Sequence, residues 1–262
     1  MKENILKKIF DLKKEKFSEL EINSFLEKTK KTAKENQKKT ESFSANLKGK
    51  KEISIIAEIK IASPSHGKFK LKKSIPDIVR EYEEAGARAI SVVTEENFFK
   101  GSREIFSQIR AITKLPIIRK DFFWHPLQIA ETASLGAQAV LLISAGLKFN
   151  EIKSLVREAQ SLDIEVLLET HSVSEFKQAL ELDVCLGINN RNLQDMTVDV
   201  RHCLEIISNF SKLEDRLLVS ESGISKRQDL EKLRGKFDAV LIGTSFLEEE
   251  YPGRKLREFV SI

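Results

Sequence analysis

The stretch ISIIAEIKIASPSHG, residues 53–67, begins as an apolar run typical of a buried strand and ends in a Ser-Pro-Ser loop. Side chains alternate across a strand, so Glu58 and Lys60 share one face while Ala57 and Ile59 take the other. An acid and a base therefore stand together at the carboxyl end of a buried strand. Because an unpaired buried charge is strongly unfavourable, the stretch predicts either a structural ion pair or a site for a charged ligand.

Outward from this strand, helix and strand patterns alternate through the rest of the chain. The further predicted strands are 89–95, 116–122, 139–144, 165–170, 185–190, 216–222 and 239–245. The predicted helices are 75–86, 102–112, 126–136, 150–163, 173–182, 198–210, 225–235 and 252–260. Ser172 with Glu175 and Ser225 with Gln228 have capping-box spacing, which predicts two of the helix starts.

Apolar strands that alternate with helices indicate an α/β fold with a parallel sheet covered by helices. Eight such units predict a closed (β/α)8 TIM barrel. The competing architecture, a doubly wound open sheet, usually shows a G-x-G-x-x-G after its first strand, and the sequence has none there. In both architectures ligands bind at the carboxyl ends of the strands.

The composition is that of a globular protein, with 32% charged and 41% hydrophobic residues. A length of 262 residues suits a single α/β barrel domain over residues 1–262. There is no apolar run long enough to span a membrane and no signal-peptide pattern at the start, so we expect a cytoplasmic protein. Cys185 and Cys203 fit neither a disulfide framework nor a metal site, and we interpret them as inert buried thiols.

Basic charge is concentrated at the beginning of the chain. Residues 1–52 hold 15 Lys against 9 Asp or Glu, a balance of +6, which leaves −2 of the net +4 for the remainder. A Lys-rich segment could bind nucleic acid, but this one has no Arg and no recognisable binding motif. We therefore favour helices docked by apolar side chains and expect no nucleic-acid partner. Those side chains are Ile5, Ile9, Phe17, Leu20, Phe25 and Leu26.

Ionisable and polar residues stand at the carboxyl ends of several predicted strands. They are Glu58, Lys60, Lys120, Asp121, Glu169, Asn189, Arg191 and Glu221. One buried ion pair would be ordinary, but many such groups at one barrel mouth are hard to explain as scaffold, because each loses its hydration without an evident folding benefit. We interpret them as a functional site.

Two further signals lie close to these strand ends. Ser222-Gly223 and Gly243-Thr244-Ser245 follow the last two strands, where barrels commonly cradle phosphate. Phe98, Phe99, Phe122, Phe123 and Trp124 follow the second and third strands and could line an aromatic pocket or pack beneath the loops. The four histidines are scattered, and we interpret them as surface groups or neighbours of the site with no metal implied.

With these residues considered together, the chain closely resembles the indole-3-glycerol phosphate synthase family over its whole length. The motifs that carry the resemblance are EIKIASPSHG (58–67), FFKGS (98–102), RKDF (119–122), LLET (167–170), GINNRNL (187–193), SESGI (220–224) and LIGTSFL (241–247). The resemblance implies a (β/α)8 barrel whose N-terminal helical extension, residues 1–48 here, lies over the barrel mouth. It also implies ring closure of 1-(2-carboxyphenylamino)-1-deoxyribulose 5-phosphate, with loss of carbon dioxide and water and without a cofactor.

By the motifs of that family, Lys60 pairs with the substrate carboxylate, Lys120 is the general acid, and Glu169 is the base or acid of dehydration. Residues implied to orient these groups and the substrate hydroxyls are Glu58, Asn189, Arg191 and Glu221. Those implied to hold the phosphate are Ser63, Ser222, Gly223, Gly243 and Thr244, while Phe99 and Phe122 would flank the anthranilate ring. We expect this phosphorylated small molecule as the partner, no membrane partner, and a monomer or weak homodimer.

The chain departs from the family pattern at a few positions. Ile61 stands where a basic or polar residue is usual, Thr170 and Ser172 replace Val and Asp, and His125 replaces an Asp. Because none of these is a proposed catalytic group, we expect effects on affinity or pH optimum at most. Two alternatives stay open: a Schiff-base aldolase in which Lys120 attacks a carbonyl, and a nucleic-acid-binding protein that uses the Lys-rich segment.

Overall fold

The computed structural model describes residues 5–15, 29–30, 41–193 and 195–260. The strands are Ser54–Ile59 (β1), Ala62–Ser63 (β2), Gly67–Lys68 (β3), Ala89–Val93 (β4), Ile117–Lys120 (β5), Ala139–Ile143 (β6), Glu165–Thr170 (β7), Cys185–Asn189 (β8), Leu218–Glu221 (β9) and Ala239–Ile242 (β10). Eight of them form a closed parallel barrel in the order β1-β10-β9-β8-β7-β6-β5-β4. The predicted (β/α)8 barrel is therefore confirmed. The short strands β2 and β3 form an antiparallel hairpin after β1 that the sequence pattern did not reveal.

Helices alternate with the barrel strands in the described part of the chain. They are Ile5–Glu15 (α1), Phe43–Leu47 (α2), Ile75–Ala85 (α3), Arg103–Ile112 (α4), Pro126–Ser134 (α5), Phe149–Ser161 (α6), Val173–Ala179 (α7), Arg201–Ile207 (α8), Arg227–Leu233 (α9), Thr244–Leu247 (α10) and Pro252–Val260 (α11). None of the described helices is both long and apolar enough to cross a bilayer.

The starts of α7 and α9 test the two predicted capping boxes. At α7 the predicted helix start is confirmed, because the hydroxyl of Ser172 accepts the backbone N–H of Glu175. The carboxylate of Glu175, however, accepts the N–H of His171 and not that of Ser172, so the box is incomplete. At α9 the prediction was wrong, because the carboxylate of Asp229, and not Gln228, accepts the backbone N–H groups of Ser225 and Lys226. A carboxylate is the stronger acceptor at a helix start, so α9 begins two residues later than Ser225.

Strand alternation decides which side chains of β1 face the barrel interior. Ile55, Ala57 and Ile59 pack with the apolar faces of the helices, whereas Ile56 belongs to a second cluster inside the barrel. Glu58 shares the parity of Ile56 and so lies inside, above it, at the carboxyl end of the strand. The acid of the opening stretch is therefore placed in the mouth by the same periodicity that builds the core.

The N-terminal extension divides between the two ends of the barrel, whereas the resemblance placed all of it over the mouth. Phe43 and Leu47 of α2 are fully buried in the interior cluster. Ser54 at the start of β1 donates its hydroxyl to the carbonyl of Leu47 (2.8 Å), and Glu165 at the start of β7 accepts the hydroxyl of Ser42 (2.8 Å). These contacts are all at strand starts, so α2 closes the end of the barrel opposite the mouth.

Helix α1 lies at the mouth. Phe10 packs edge-on against Phe122, with ring centroids 5.7 Å apart, and fits over Gly146, where an added Cβ would come within 2.1 Å of the ring. Lys13 forms an ion pair with Asp121, which follows the end of β5. An apolar socket and an ion pair thus hold α1 to the mouth. The other predicted docking residues, Phe17, Leu20, Phe25 and Leu26, lie outside the described residues.

The buried position of Phe43 leads to a stability prediction. Phe43→Ala removes a fully buried ring from the closed end of the barrel, and we expect unfolding free energy to fall by about 3–5 kcal/mol. Urea unfolding followed by circular dichroism measures this, with Ala45→Ser on the exposed face of α2 as the control. A loss below about 1 kcal/mol, the size of an ordinary surface effect, would mean that α2 does not seal the barrel.

Candidate active site

A cavity of about 440 Å³ lies at the carboxyl ends of the barrel strands. The site residues implied by the resemblance all border it: Glu58, Lys60, Ser63, Phe99, Lys120, Phe122, Glu169, Asn189, Arg191, Glu221, Ser222, Gly223, Gly243 and Thr244. Asp121, which the strand ends also suggested, does not border the cavity and forms ion pairs with Arg119 and Lys13 instead. The barrel thus brings together groups that are more than 180 residues apart in the chain. Both ionisable groups and apolar side chains line the cavity.

Glu58 contacts both lysines of the site. Nζ of Lys60 lies 2.7 Å from Oε1 of Glu58, and Nζ of Lys120 lies 3.9 Å from Oε2. Burial opposes ionisation of Glu58, but the two ammonium groups outweigh it, and the pKa of this carboxyl lies below its ordinary value. The opening stretch therefore forms an ion pair whose ammonium group also borders the cavity.

Three buried carboxylates surround the ammonium group of Lys120. Its Nζ lies 3.1 Å from Glu221, 3.5 Å from Glu169 and, as above, 3.9 Å from Glu58. Burial favours the neutral amine, but these carboxylates outweigh it and raise the pKa of Lys120 well above its ordinary value. Such a lysine stays protonated and can donate a proton, whereas a Schiff-base lysine must attack as a neutral amine. The geometry therefore favours the acid over the aldolase alternative.

Glu169 at the end of β7 is held through both of its oxygens. Oε1 lies 3.1 Å from Nδ2 of Asn189 and 3.1 Å from Nε2 of His171, while Oε2 is the oxygen that faces Lys120. Burial opposes ionisation, but Lys120 and His171 outweigh it, and the pKa of Glu169 lies well below its ordinary value. Glu169 is therefore a fixed, ionised carboxylate beside the ammonium group of Lys120.

Glu221 at the end of β9 is in a different environment. Its Oε1 is buried and has no hydrogen-bond partner among the described residues. Burial, opposed by Lys120 and reinforced by the charge of Glu169, raises the pKa of Glu221 to about 8. Gly187 leaves room for this side chain, since a Cβ there would lie 2.5 Å from Oε1. Two neighbouring carboxyl groups thus have pKa values displaced in opposite directions, a pattern typical of acid–base sites.

The loop after β9 is suited to approach by an anion. Ser222 and Gly223 both have positive φ values, 64° and 83°. The side-chain amide of Asn190 donates to the carbonyls of Glu221 and Ser222, 3.1 Å each, and so fixes this conformation. Consecutive left-handed residues expose backbone N–H groups, as anion-binding loops do.

Gly243 has a reason to be glycine that the sequence pattern did not suggest. A Cβ at this position would lie 2.4 Å from Oε1 of Glu58. The glycine therefore makes room for the buried carboxylate that contacts both lysines. Thr244 and Ser245, which the pattern placed in the last strand, begin the short helix α10 instead.

The apolar wall of the cavity comes from two loops and from α1. The rings of Phe99 and Phe122 have centroids 6.0 Å apart, and Ile5, Leu6 and Ile9 of α1 border the same space. The buried carboxylate of Glu95 accepts the backbone N–H groups of residues 97–99 at 2.7–2.9 Å and so fixes the loop that carries Phe99. An aromatic ligand would be enclosed by rings and aliphatic side chains.

Comparison with models of protein families shows to which family the chain belongs. The family model described as indole-3-glycerol phosphate synthase matches residues 6–259. The chain belongs to the indole-3-glycerol phosphate synthase family. No group of three or more His, Cys, Asp or Glu side chains that could hold a metal ion occurs among the described residues.

Curated indole-3-glycerol phosphate synthases are similar in sequence to this chain over most of their length. The protein of Lachnospira eligens is 42% identical over 233 residues, covering 87% of this chain and 86% of its own. That of Polaromonas naphthalenivorans is 37% identical over 260 residues, covering 97% and 98%. That of Aquifex aeolicus is 42% identical over 208 residues, covering 79% and 80%.

Solved structures of low sequence identity support the fold alone. 3-Hexulose-6-phosphate synthase from Salmonella typhimurium has a TM-score of 0.63 at 10% identity and covers 79% of this chain and 96% of its own. A chain of the tryptophan synthase α2β2 complex from Pyrococcus furiosus has a TM-score of 0.60 at 14% identity and covers 80% and 98%. Barrels of this shape carry different activities, so the assignment to the synthase family rests on the sequence relationship.

The departures from the pattern of the synthase family have local structural roles. His125 caps α5, its Nδ1 accepting the backbone N–H of Leu127 at 3.1 Å. The hydroxyl of Thr170 donates to the carbonyl of Gly187 at 2.8 Å, and Ser172 is the cap of α7 described above. None of these three residues borders the cavity.

Some residues that border or support the cavity were not singled out from the sequence. Glu95 holds the loop that carries Phe99, and His171 contacts Glu169. Leu193, Met196 and Val198 border the cavity from the loop after β8. Glu95 carried a usable signal, because it is an acid that follows an apolar strand directly. Apolar residues in an irregular loop carry none, since no periodicity tells whether they face a cavity or the core.

Proposed function

We propose that this protein is a carbon–carbon lyase that closes the indole ring of 1-(2-carboxyphenylamino)-1-deoxyribulose 5-phosphate and releases indole-3-glycerol phosphate, carbon dioxide and water. The reaction is a step of tryptophan biosynthesis and uses no cofactor. The observation that carries the proposal is that Lys60, Lys120 and Glu169 border one cavity. Membership of the synthase family supports it.

The substrate's anthranilate end would lie beside Lys60, Phe99 and Phe122, all of which border the cavity. Lys60 would pair with the substrate carboxylate, in exchange for part of its contact with Glu58. Phe99 and Phe122 would enclose the ring, with α1 above them. Holding the ring carbon that bears the carboxylate close to the ketone carbon is itself a large part of catalysis.

Ring closure requires a proton at the ketone oxygen. As the ring carbon bonds to the ketone carbon, negative charge develops on that oxygen, and Lys120 would donate a proton to make it a hydroxyl group. Carbon dioxide then leaves, and the benzene ring recovers its aromaticity. The three carboxylates around Lys120 keep it protonated before each turnover.

Loss of water completes the indole ring. The methylene carbon beside the nitrogen gives up a proton, and the hydroxyl group leaves as water after taking a proton from Lys120, which solvent would have protonated again after ring closure. Glu169, an ionised carboxylate 3.5 Å from Lys120, would take the first proton. Asn189, Arg191, Glu58 and Glu221 would orient these groups and the substrate hydroxyls.

The phosphate of the substrate would bind among Ser63, Ser222, Gly223, Gly243 and Thr244, all of which border the cavity. The left-handed pair Ser222-Gly223 offers backbone N–H groups, which suit a phosphate in barrels of this kind. We also propose a cytoplasmic enzyme that acts as a monomer or weak homodimer, without nucleic-acid or membrane partners.

A fluorescence assay with purified protein tests the proposal. Addition of 1-(2-carboxyphenylamino)-1-deoxyribulose 5-phosphate should produce the fluorescence of an indole product together with one equivalent of carbon dioxide. Folded protein that releases neither would refute the proposal. Sodium borohydride with a ketose phosphate tests the aldolase alternative, which requires covalent trapping at Lys120. Salt-sensitive RNA binding without turnover would instead favour the nucleic-acid alternative.

Lys60 yields a prediction about binding. Lys60→Ala removes the cation that would meet the substrate carboxylate, so we expect KM to rise by about tenfold or more. Steady-state kinetics measure it, and Lys68→Ala, an exposed lysine of the hairpin after β1, is the matched control. Unchanged KM and kcat would show that the partner of Lys60 is not the substrate.

A further inference from the structure

His171 lies directly behind the proposed base. It stands two positions after Glu169, and since Thr170 turns to the other face, the side chains of Glu169 and His171 share one side of the strand end. Only 11% of the His171 side chain is exposed. Its Nε2 lies 3.1 Å from Oε1 of Glu169, and its Nδ1 lies 3.6 Å from Oε2 of Glu175 on α7. The imidazole therefore sits between two carboxylates.

Neighbouring helices fix the position of this residue. The backbone N–H of His171 donates to Oε2 of Glu175 at 2.8 Å, and Glu175 is itself held in the first turn of α7, which Ser172 caps. The carbonyl of His171 lies 3.0 Å from Nε2 of His202 on α8. His171 is thus tied to the scaffold and not to the substrate cavity, which it does not border.

The two oxygens of Glu169 have different surroundings. Oε1 has the ring of His171 and the amide of Asn189, both at 3.1 Å, and Oε2 has Lys120 at 3.5 Å. We propose that His171 is a positioning residue that keeps Glu169 ionised and directs its Oε2 toward Lys120 and the reacting atoms. This inference rests on the proposed function, in which Glu169 takes a proton during dehydration.

The charges around the pair agree with this role. Glu169 is faced by Lys120 on β5, Glu58 on β1, Glu221 on β9, Asn189 on β8 and His171. His171 is faced by Glu169, by Glu175 on α7 and by His202 on α8. Burial favours neutral imidazole, but Glu169 and Glu175 outweigh it and raise the pKa of His171 to about 10, so the ring is cationic at neutral pH.

The sign of the pH effect follows from that cation. A positive ring lowers the pKa of Glu169, which keeps the base ionised in acidic solution. Without the ring, the pKa of Glu169 rises, and the base becomes protonated at a higher pH. The acidic limb of the kcat profile should therefore move upward by about 1–3 pH units, the usual influence of one nearby opposite charge.

The experiment measures kcat and KM from pH 3.5 to 9 for the parent protein, His171→Gln and His171→Ala. On acidification both variants should lose kcat at a higher pH than the parent protein, with little change in KM. At pH 8, His171→Gln should recover more activity than His171→Ala, because an uncharged amide at this position can donate to Glu169 and alanine cannot. His202→Gln, the matched exchange on α8, should leave the acidic limb in place.

A second readout needs no turnover. Proton NMR of the imidazole C–H groups should show one ring, absent from His171→Gln, that stays cationic beyond pH 8 and titrates at lower pH in Glu175→Gln. The inference is overturned if the parent protein turns over substrate and the His171→Gln profile coincides with it, or if the ring titrates near pH 6.5. If the parent protein makes no indole product, the proposed function fails, while the titration still decides the charge of His171.

Discussion

Lys120→Ala should lower kcat by about a hundredfold or more with much less effect on KM. The ammonium group is where the ketone oxygen would receive its proton, and the neighbouring Lys60 is already paired with Glu58 at 2.7 Å. Glu58 and Glu169, which contact Lys120, offer no replacement, since both are held ionised. The loss should therefore appear in the chemical step, as measured by the rate of indole fluorescence and of carbon dioxide release at saturating substrate.

Lys120→Arg separates proton donation from charge. Arginine keeps a cation among the carboxylates, which also protects the fold, but a guanidinium does not give up its proton in this pH range. If Lys120 is the acid, both variants are slow. An arginine variant with near-parental kcat would show that only the charge matters. Lys177→Ala, at an exposed position on α7, is the control for loss of a lysine and should leave kcat unchanged.

Much of the site could be predicted because the alternation of side chains along a strand and the parallel arrangement of the strands act on the same residues. The period-two alternation that makes Ile55, Ala57 and Ile59 core also puts Glu58 inside the barrel. Parallel strands then bring their carboxyl ends to one edge, so that Lys120, Glu169 and Glu221 meet without any local sequence signal connecting them. The identity of the polar residues and their place on the strand were enough to predict that they share one cavity.

The parts that could not be predicted depend on distances between elements. Gly187 and Gly243 look like turn or phosphate residues in sequence, yet each is small because a carboxylate from another strand occupies the space of its Cβ. The position of α2 at the closed end depends on how residues 42–47 meet the starts of β1, β4 and β7. His171 gave no sign of its role, since a histidine after a strand is equally compatible with a surface position.

Glu169→Gln should also lower kcat by about a hundredfold or more, but at a different step from Lys120. Glutamine keeps the size of the side chain and can still accept from Asn189 through its carbonyl oxygen, so the site should keep its shape. What it loses is the ability to take a proton. Ring closure and decarboxylation would proceed with Lys120 intact, and dehydration would stall.

Single-turnover measurements distinguish the defect of Glu169→Gln from that of Lys120→Ala. Glu169→Gln should release close to one equivalent of carbon dioxide per enzyme without the matching indole fluorescence, because the hydroxyl-bearing ring intermediate accumulates. Lys120→Ala should release neither, since its defect precedes decarboxylation. Glu181→Gln, an exposed carboxylate after α7, should behave as the parent protein. Carbon dioxide and indole that appear together at a reduced rate in Glu169→Gln would place Glu169 in ring closure instead, and full-rate turnover would remove it from the mechanism.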